Sequence, residues 1–435
     1  MAATIHRNPR IPSTLRFFCA GTAGTAHELA PPSATLDDAS ISRIKTFIRD
    51  EPNPDRLAEL FHSAATTPLF YGDRIIFNLA IRKLILARRP DLIERLLEHQ
   101  LTDPSTPKSE GFLMRIISLY GNASMPDHAA SAFDRISSPR SDRSLCALLN
   151  ALLKSGQHAR LRDTFDKAEE LLGVSPGIAS CNVLLRSMCE DGKVADASAL
   201  FDEMPKRGLT PDIISYNMVL HGYLKEGNQD GFDSLLKELS RRKLEPNVTT
   251  YNCRMASLCR RRKSFQAEDL LDVMLSRKIR PNRVSFNTLI DGFCKEGDAS
   301  SAMRVYRRLQ LMKNEDNSAA SANFRTYVVL LCCLVEKGEF DSAFEICKLC
   351  LNIKWAPPFV VVKDLLQGLI KNSMEKKAKV IVNKMRQAVK DLLQGLIKNS
   401  MEKKAKVIVN KMRQAVKGDA IDAWKKIEGE LSFEF

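Results

Sequence analysis

The chain has 435 residues, 44% of them hydrophobic, with a formal charge of +14 and a pI near 9.3. This length exceeds one compact core, so several domains or a repeat array is expected, and the basic balance points to a polyanionic partner without specifying a fold. Eleven cysteines form no dense framework, and Cys189, Cys259 and Cys294 fall within apolar helical stretches, which argues for reduced, buried thiols rather than a disulfide scaffold.

Residues 1–38 read as a targeting segment. No acidic residue occurs from Met1 to His27, while Arg7, Arg10 and Arg16 supply charge and Phe17 and Phe18 follow. That composition is typical of an organelle transit peptide. Scarce serine and spaced arginines favour the mitochondrion, with the chloroplast as the alternative. No stretch approaches the roughly 18 apolar residues of a membrane span.

Residues 39–177 read as a helical cap (to about Asp73) followed by degenerate repeats. These run Arg74–Ser109 with Phe77-Asn78, then from Glu110, then from Asp142 with Gly156. Residues 178–358 hold the regular part. Asn182, Asn217, Asn252 and Asn287 follow one another at 35 residues, and so do Pro176, Pro211, Pro246 and Pro281. Each unit reads as two helices. From Ile213, the apolar Tyr216, Val219, Leu220 and Tyr223 share one helical face; Gly227 breaks the pattern; Phe232, Leu235, Leu236 and Leu239 form a second stripe, and Pro246 ends it. Neither stripe is buried within its own unit, so neighbouring units must stack. A polar insertion between Asn314 and Asn323 lengthens the fourth unit. Residues 359–417 hold a last repeat in which Lys363–Val389 recurs residue for residue as Lys390–Val416, and 418–435 is a tail. Cys347 and Cys350 form a C-x-x-C that lacks the second ligand pair of a metal site and reads as core.

The stretch Val284-Ser-Phe-Asn-Thr-Leu-Ile-Asp-Gly-Phe-Cys-Lys-Glu-Gly297, with Met204, Gly208, Pro211 and Asp212, resembles the pentatricopeptide repeat consensus, P class, of plant organellar (mitochondrial) type. A tetratricopeptide array would repeat at 34 with a Trp and a Gly-Tyr pattern, both absent here. The resemblance implies an all-α, right-handed α-solenoid of two-helix repeats. It also implies sequence-selective binding of single-stranded organellar RNA, supporting transcript processing, stability or translation. The fifth residue of each unit and its last residue would read one base. The pairs are then Asn182/Asp212, Asn217/Asn247, Asn252/Asn282, and Asn287 with either Asn317 or Asn323. By analogy Asn/Asp selects uracil and Asn/Asn selects cytosine, sometimes uracil, so a short pyrimidine tract is read. Val328 and Pro358, Cys146 and Gly177, and Asn78 and Lys108 depart from that code. Ile214, Thr249 and Val284 stand where the family wedges a side chain between bases, and Lys225, Arg260 and Lys295 where it contacts phosphate. All the pair residues are expected to face the groove rather than the helix stack.

Nothing here carries catalysis: no H-x-E deaminase motif, phosphate loop or nucleophilic triad occurs. No enzyme activity, cofactor, metal site or small-molecule substrate is expected. Four pyrimidine-reading units match roughly one position in 16 of random sequence, too few for one transcript when a mismatch costs about 1–3 kcal/mol. The alternative is therefore a structural component of the mitochondrial ribosome, or a protein-binding scaffold. One outcome tests the first segment: a reporter fused to roughly the first 40 residues should enter mitochondria, and cytosolic or plastid fluorescence would refute the assignment.

Overall fold

The computed structural model describes residues 38–398, apart from 66–69, 71, 105, 138, 316–321 and 354; the targeting segment, Asn317 and the tail lie outside the described residues. The chain divides into two compact units whose described parts run 38–253 and 254–398. Every regular element among the described residues is helical.

In the first unit the helices are α1 (Asp38–Asp50), α2 (Pro54–Ala64), α3 (Arg74–Ala87), α4 (Pro90–Thr102), α5 (Glu110–Asn122), α6 (Pro126–Asp134), α7 (Asp142–Lys154), α8 (His158–Asp166), α9 (Ala168–Leu172), α10 (Ile178–Glu190), α11 (Val194–Glu203), α12 (Ile213–Glu226) and α13 (Gln229–Arg241). Helix α14 (Val248–Arg260) contains the division. The second unit continues with α15 (Ser264–Ser276), α16 (Arg283–Glu296), α17 (Ala299–Glu315), α18 (Phe324–Glu336), α19 (Phe340–Asn352), α20 (Phe359–Lys371) and α21 (Glu375–Lys398). Within each unit the pairs stack as the α-solenoid reading requires. The leading helices α5, α7, α10 and α12 pack in succession, as do α16, α18 and α20. Trailing helices pack on their own leading helix and on the next one, as α11 does on α10 and α12, and α17 on α16 and α18.

Two requirements explain why this sequence stacks. The first is apolar contact. Tyr216, Val219, Leu220, Phe232 and Leu239 are buried, as are Phe286, Leu289, Ile290 and Phe293 in the second unit. At about 25 cal/mol per Å² of apolar surface, such burial is the main stabilising term. The second is close approach between leading helices. A Cβ on Gly222 would lie 2.6 Å from Cys189 Sγ, and one on Gly292 would lie 2.5 Å from Cys259 Sγ. Upstream, a Cβ on Gly121 would meet Ala151 Cα at 2.7 Å. Small residues therefore recur where one leading helix crosses the next. The trailing helices of successive repeats are tied by ion pairs, among them Arg135–Glu98 at 2.9 Å, Arg160–Asp127 at 2.6 Å, Arg304–Glu268 at 2.6 Å and the Arg308–Asp272 pair. Exposed pairs of this kind contribute about 0–1 kcal/mol each, so they set register more than stability.

The ten described cysteines are free. Burial pushes the thiols of Cys181, Cys189, Cys253 and Cys259 up to about 11, and those of Cys347 and Cys350 up to about 12. The C-x-x-C pair sits on α19 with both residues buried in the core. No helix among the described residues is long and apolar enough to cross a membrane. Ser109, one residue beyond Lys108, is the N-cap of α5. The duplicated block enters two different settings: 363–371 end α20 before a turn, whereas the identical 390–398 continue α21.

The close approach gives a direct test. Gly222→Val should destabilise the protein by about 1–3 kcal/mol through overpacking against Cys189 and Val194. Thermal denaturation would measure it, and an unchanged midpoint would mean that the leading helices are not held at this separation.

Candidate nucleic-acid interface

The leading helices begin on side-chain caps supplied by the residue that ends the preceding unit. Asp212 Oδ1 accepts the N–H groups of Ile214 at 3.0 Å and Ser215 at 2.9 Å, while Ser215 Oγ accepts the Asp212 N–H at 3.2 Å. This reciprocal arrangement satisfies first-turn donors that the helix cannot satisfy itself. Asn247 caps α14 through Thr250 N–H at 3.1 Å, with Thr250 Oγ1 accepting the Asn247 N–H at 3.2 Å. Asn282 caps α16 through Val284 and Ser285 N–H, at 2.9 and 3.2 Å. Asn323 caps α18 through Thr326 N–H at 3.1 Å and so holds the place of Asn247 and Asn282. The alternative, Asn317, lies outside the described residues.

The fifth residue of each unit is drawn into the same network. Asn182 Nδ2 donates to Asp212 Oδ1 at 3.2 Å, and Asn182 Oδ1 accepts from Ser215 Oγ at 2.6 Å. One repeat later, Asn217 Nδ2 donates to Asn247 Oδ1 at 3.0 Å and its Oδ1 accepts from Thr250 Oγ1 at 2.9 Å. Asn287 Oδ1 accepts from Thr326 Oγ1 at 2.6 Å. Asn182 and Asn217 are only 8% and 2% exposed. The fifth residues therefore do not stand clear of the helix stack as the sequence suggested. They are tucked into it, because a hydroxyl three residues past the cap reaches back across the repeat boundary to claim their oxygen. Asn252 and Asn282 are both partly buried and both take part in further interactions.

This network fixes which atoms remain. Asp212 has only acceptors, so Asn182 must turn its NH₂ toward it. Asp212 Oδ1 is consumed by the cap and by Asn182, whereas Oδ2 has no hydrogen bond among the described residues. The unit thus offers one N–H of Asn182 and one carboxylate oxygen. In the next unit the cap consumes Asn247 Oδ1, leaving Asn247 Nδ2 beside the second N–H of Asn217. That unit offers donors only. Two successive repeats thus present the same geometry with different hydrogen-bond polarity.

Flanking these pairs are exposed apolar side chains at the second position of the leading helices. Ile214 is 46% exposed and Val284 55%, and Thr249 is exposed as well. Ile75 and Val360 occupy the same helical position farther out and are also exposed; the sequence reading passed over them because their units are irregular. The cations behave differently from one another. Lys225 Nζ donates to the carbonyls of Glu190 at 2.6 Å and Cys189 at 3.4 Å, so it caps the C-terminus of α10. Lys83 does the same at the end of α1, through the carbonyls of Ile48, Arg49 and Glu51. Lys295 is exposed and pairs with Asp291 at 2.7 Å, and Arg260 is exposed.

Upstream the arrangement lapses. Gly177 caps α10 without a side chain; Asp142 Oδ1 instead accepts the Gly177 N–H at 2.8 Å and Ser180 Oγ–H at 2.5 Å. Asn78 Nδ2 turns back to its own helix, donating to Arg74 O at 2.8 Å. Downstream, Pro358 precedes α20 with no side-chain cap.

The PPR repeat family model matches residues 176–225, 211–260 and 246–295, and the PPR repeat model matches 284–313. The chain is similar to the small ribosomal subunit protein mS79 (rPPR3b) of Arabidopsis thaliana, 32% identical over 196 residues, covering 44% of this chain and 47% of the relative. It is also similar to an Arabidopsis thaliana pentatricopeptide repeat-containing protein named as mitochondrial, 30% identical over 165 residues, covering 37% and 41%. The chain thus spans about half the length of the curated relatives it matches. Among solved structures, maize PPR10 aligns over 80% of this chain and 59% of its own, with a TM-score of 0.44 and 20% identity.

The network has a measurable consequence. Thr250→Val keeps the shape but removes the hydroxyl, leaving Asn217 Oδ1 and the Asn247 N–H unmatched. A loss of about 1–3 kcal/mol is expected for each buried group left without a partner, and Thr250→Ser should recover most of it. Equal stability of all three proteins by chemical denaturation would contradict the network.

Proposed function

We propose that this chain, a pentatricopeptide repeat protein, binds single-stranded RNA in the mitochondrion and reads a short pyrimidine tract through the polar pairs of residues 182–323. The observation that carries the reading is the change of polarity between successive pairs. Uracil N3 carries a hydrogen and its neighbouring carbonyls accept; the free Asp212 oxygen and the Asn182 N–H complement that edge. Cytosine N3 and O2 both accept; the two amide donors of Asn217 and Asn247 complement those. The side chains of Ile214, Thr249 and Val284 would separate the bases. Lys225, Arg260 and Lys295 are the candidates for phosphate; Lys225 also serves helix carbonyls and Lys295 also pairs with Asp291. The mitochondrial address rests on the acid-free first segment and on a relative that bears that name. The chain is a binding scaffold rather than a catalyst.

A second reading has its own support: a relative matched over nearly half this chain is named as a small ribosomal subunit protein. A few reading units select poorly among transcripts, and a ribosomal anchor would supply what base reading lacks. Sedimentation of the native protein distinguishes the two. Co-migration with ribosomal particles after removal of messenger RNA favours the ribosomal role, and a free or transcript-bound protein favours the other.

The base-reading assignment is tested at Asn247. Asn247→Asp keeps the cap oxygen but exchanges a donor for an acceptor, so its unit should move from cytosine toward uracil by about 1–3 kcal/mol. Titration of wild type and variant against RNAs differing at one base measures the shift. Identical ranking of the RNAs by both proteins would overturn the assignment.

A further inference from the structure

The repeat 248–282 departs from its siblings at the turn between its helices. Where its siblings within residues 178–358 place Gly192, Gly227, Gly297 and Gly338 at φ of 82, 87, 81 and 74°, this unit places Arg262 at φ 56°, as the outlying repeats place Arg88, Ser124 and Ser373 at φ 57°. A side chain in that region is strained, and glycine avoids the strain. The charge differs as well. The sibling turns Asp191-Gly192-Lys193, Glu226-Gly227-Asn228, Glu296-Gly297-Asp298 and Lys337-Gly338-Glu339 each include a carboxylate; here the turn is Arg261-Arg262-Lys263, directly after Arg260. Two residues on, Phe265 is 57% exposed. Its counterparts Ala195, Asp230, Ser300 and Asp341 are exposed too, and none is aromatic.

The ring of Phe265 is held in place. It meets Phe293 edge-on at 5.1 Å, and the Arg304 guanidinium lies 5.8 and 5.9 Å from the two rings. The nearby carboxylates are engaged: Glu268 pairs with Arg304 at 2.6 Å, and Glu296 accepts the Ser264 N–H at 3.0 Å together with its hydroxyl. Arg262 and Lys263 form no ion pair among the described residues. An arginine at a glycine position, a cationic run at an acidic position and an aromatic ring at a polar position coincide in one repeat. The arginine is strained, and the ring stays more than half exposed despite its contact with Phe293, so stacking of the repeats does not fully account for them.

We propose that this turn is a second RNA contact, outside the base-reading pairs, in which an unpaired base stacks on Phe265 and Arg262 and Lys263 hold the adjoining phosphates. A planar base offers the π-face that an exposed, fixed ring accepts, and its phosphates match the flanking cations. An acidic peptide would use the cations and leave the ring unused. The contact rests on the RNA reading above and adds to it a preference for sequence-independent nucleotides flanking the tract.

The experiment uses two RNAs with the same pyrimidine tract, one with ordinary flanking nucleotides and one with abasic flanks that keep every phosphate. Wild type should bind the first more tightly, by about 5-fold to 100-fold if one base stacks. Phe265→Ala should abolish that preference, while Phe265→Trp should retain it. Arg262→Gly with Lys263→Asn restores a sibling-like turn. It should reduce the salt dependence of binding by about 1.4 in log–log slope, roughly 0.7 per phosphate. Its melting temperature should be unchanged or raised, because glycine suits this φ. If wild type prefers the pyrimidine tract to a purine one but does not distinguish the two flanks, the second contact is refuted and the tract reading survives. If wild type binds neither tract, both fall. If Phe265→Ala binds RNA as wild type does but no longer co-sediments with ribosomal particles, the turn is a protein contact and the proposal is overturned.

Discussion

The hydrogen bond on which the most depends joins the last side chain of one repeat to the first turn of the next. A leading helix begins with N–H groups that lack partners inside the helix. Asp212, Asn247, Asn282 and Asn323 supply the missing acceptor. In doing so they settle where each helix starts, how far the fifth residue of the preceding repeat is pulled in, and which polar atoms are left over. A cap would ordinarily be a local matter. Here it is also the joint between repeats, because Ser215, Thr250 and Thr326 bond both the cap and the asparagine of the repeat before.

Such a network tolerates little slack between leading helices, and the glycines and cysteines at their crossings fit that demand. Gly222 against Cys189 and Gly292 against Cys259 repeat one contact in two separate units of the chain. The approach that closes the Asn182–Asp212–Ser215 ring is thus the approach that admits no Cβ at Gly222. Where the joint changes, its surroundings change in step. Gly177 brings no cap side chain, and a Cβ there would lie 2.7 Å from Oδ2 of Asp142, which accepts the Gly177 N–H and the Ser180 hydroxyl. The polar pairs thus begin at Asn182, where the cap on the following repeat becomes a side chain.

Much of this was legible in the 35-residue period. The phase of asparagine, proline and glycine located the helices and their breaks, because each residue type acts on the backbone at its own position. The period also placed Asn323 and Asn317 as rivals; Asn323 caps α18, and Asn317 lies outside the described residues. What the period could not convey was which atoms a side chain has already committed. Lys225 reads as a free cation until the carbonyls of Glu190 and Cys189, in the neighbouring repeat, come within reach of it. Asn182 and Asn217 read as outward-facing because their burial depends on a hydroxyl 33 residues away. Phe265 was invisible for another reason: a single apolar residue at the start of an amphipathic helix looks like core unless it is set against its counterparts in the other repeats.

The double duty of the cap bears on how such proteins diverge. Asparagine and aspartate are near equals as helix caps, differing by a few tenths of a kcal/mol at most, yet they expose opposite hydrogen-bond polarity on the outward atom. Their codons differ at a single nucleotide. A lineage can therefore exchange one for the other without crossing a valley of unfolded intermediates, and selection on folding would scarcely register the change. In most binding proteins a new preference must be reconciled with a core that resists it. On the proposed base-reading role, the selective letter and the structural letter of this chain reside on two oxygens, or an oxygen and a nitrogen, of one side chain, which would leave preference free to drift while the scaffold stays put.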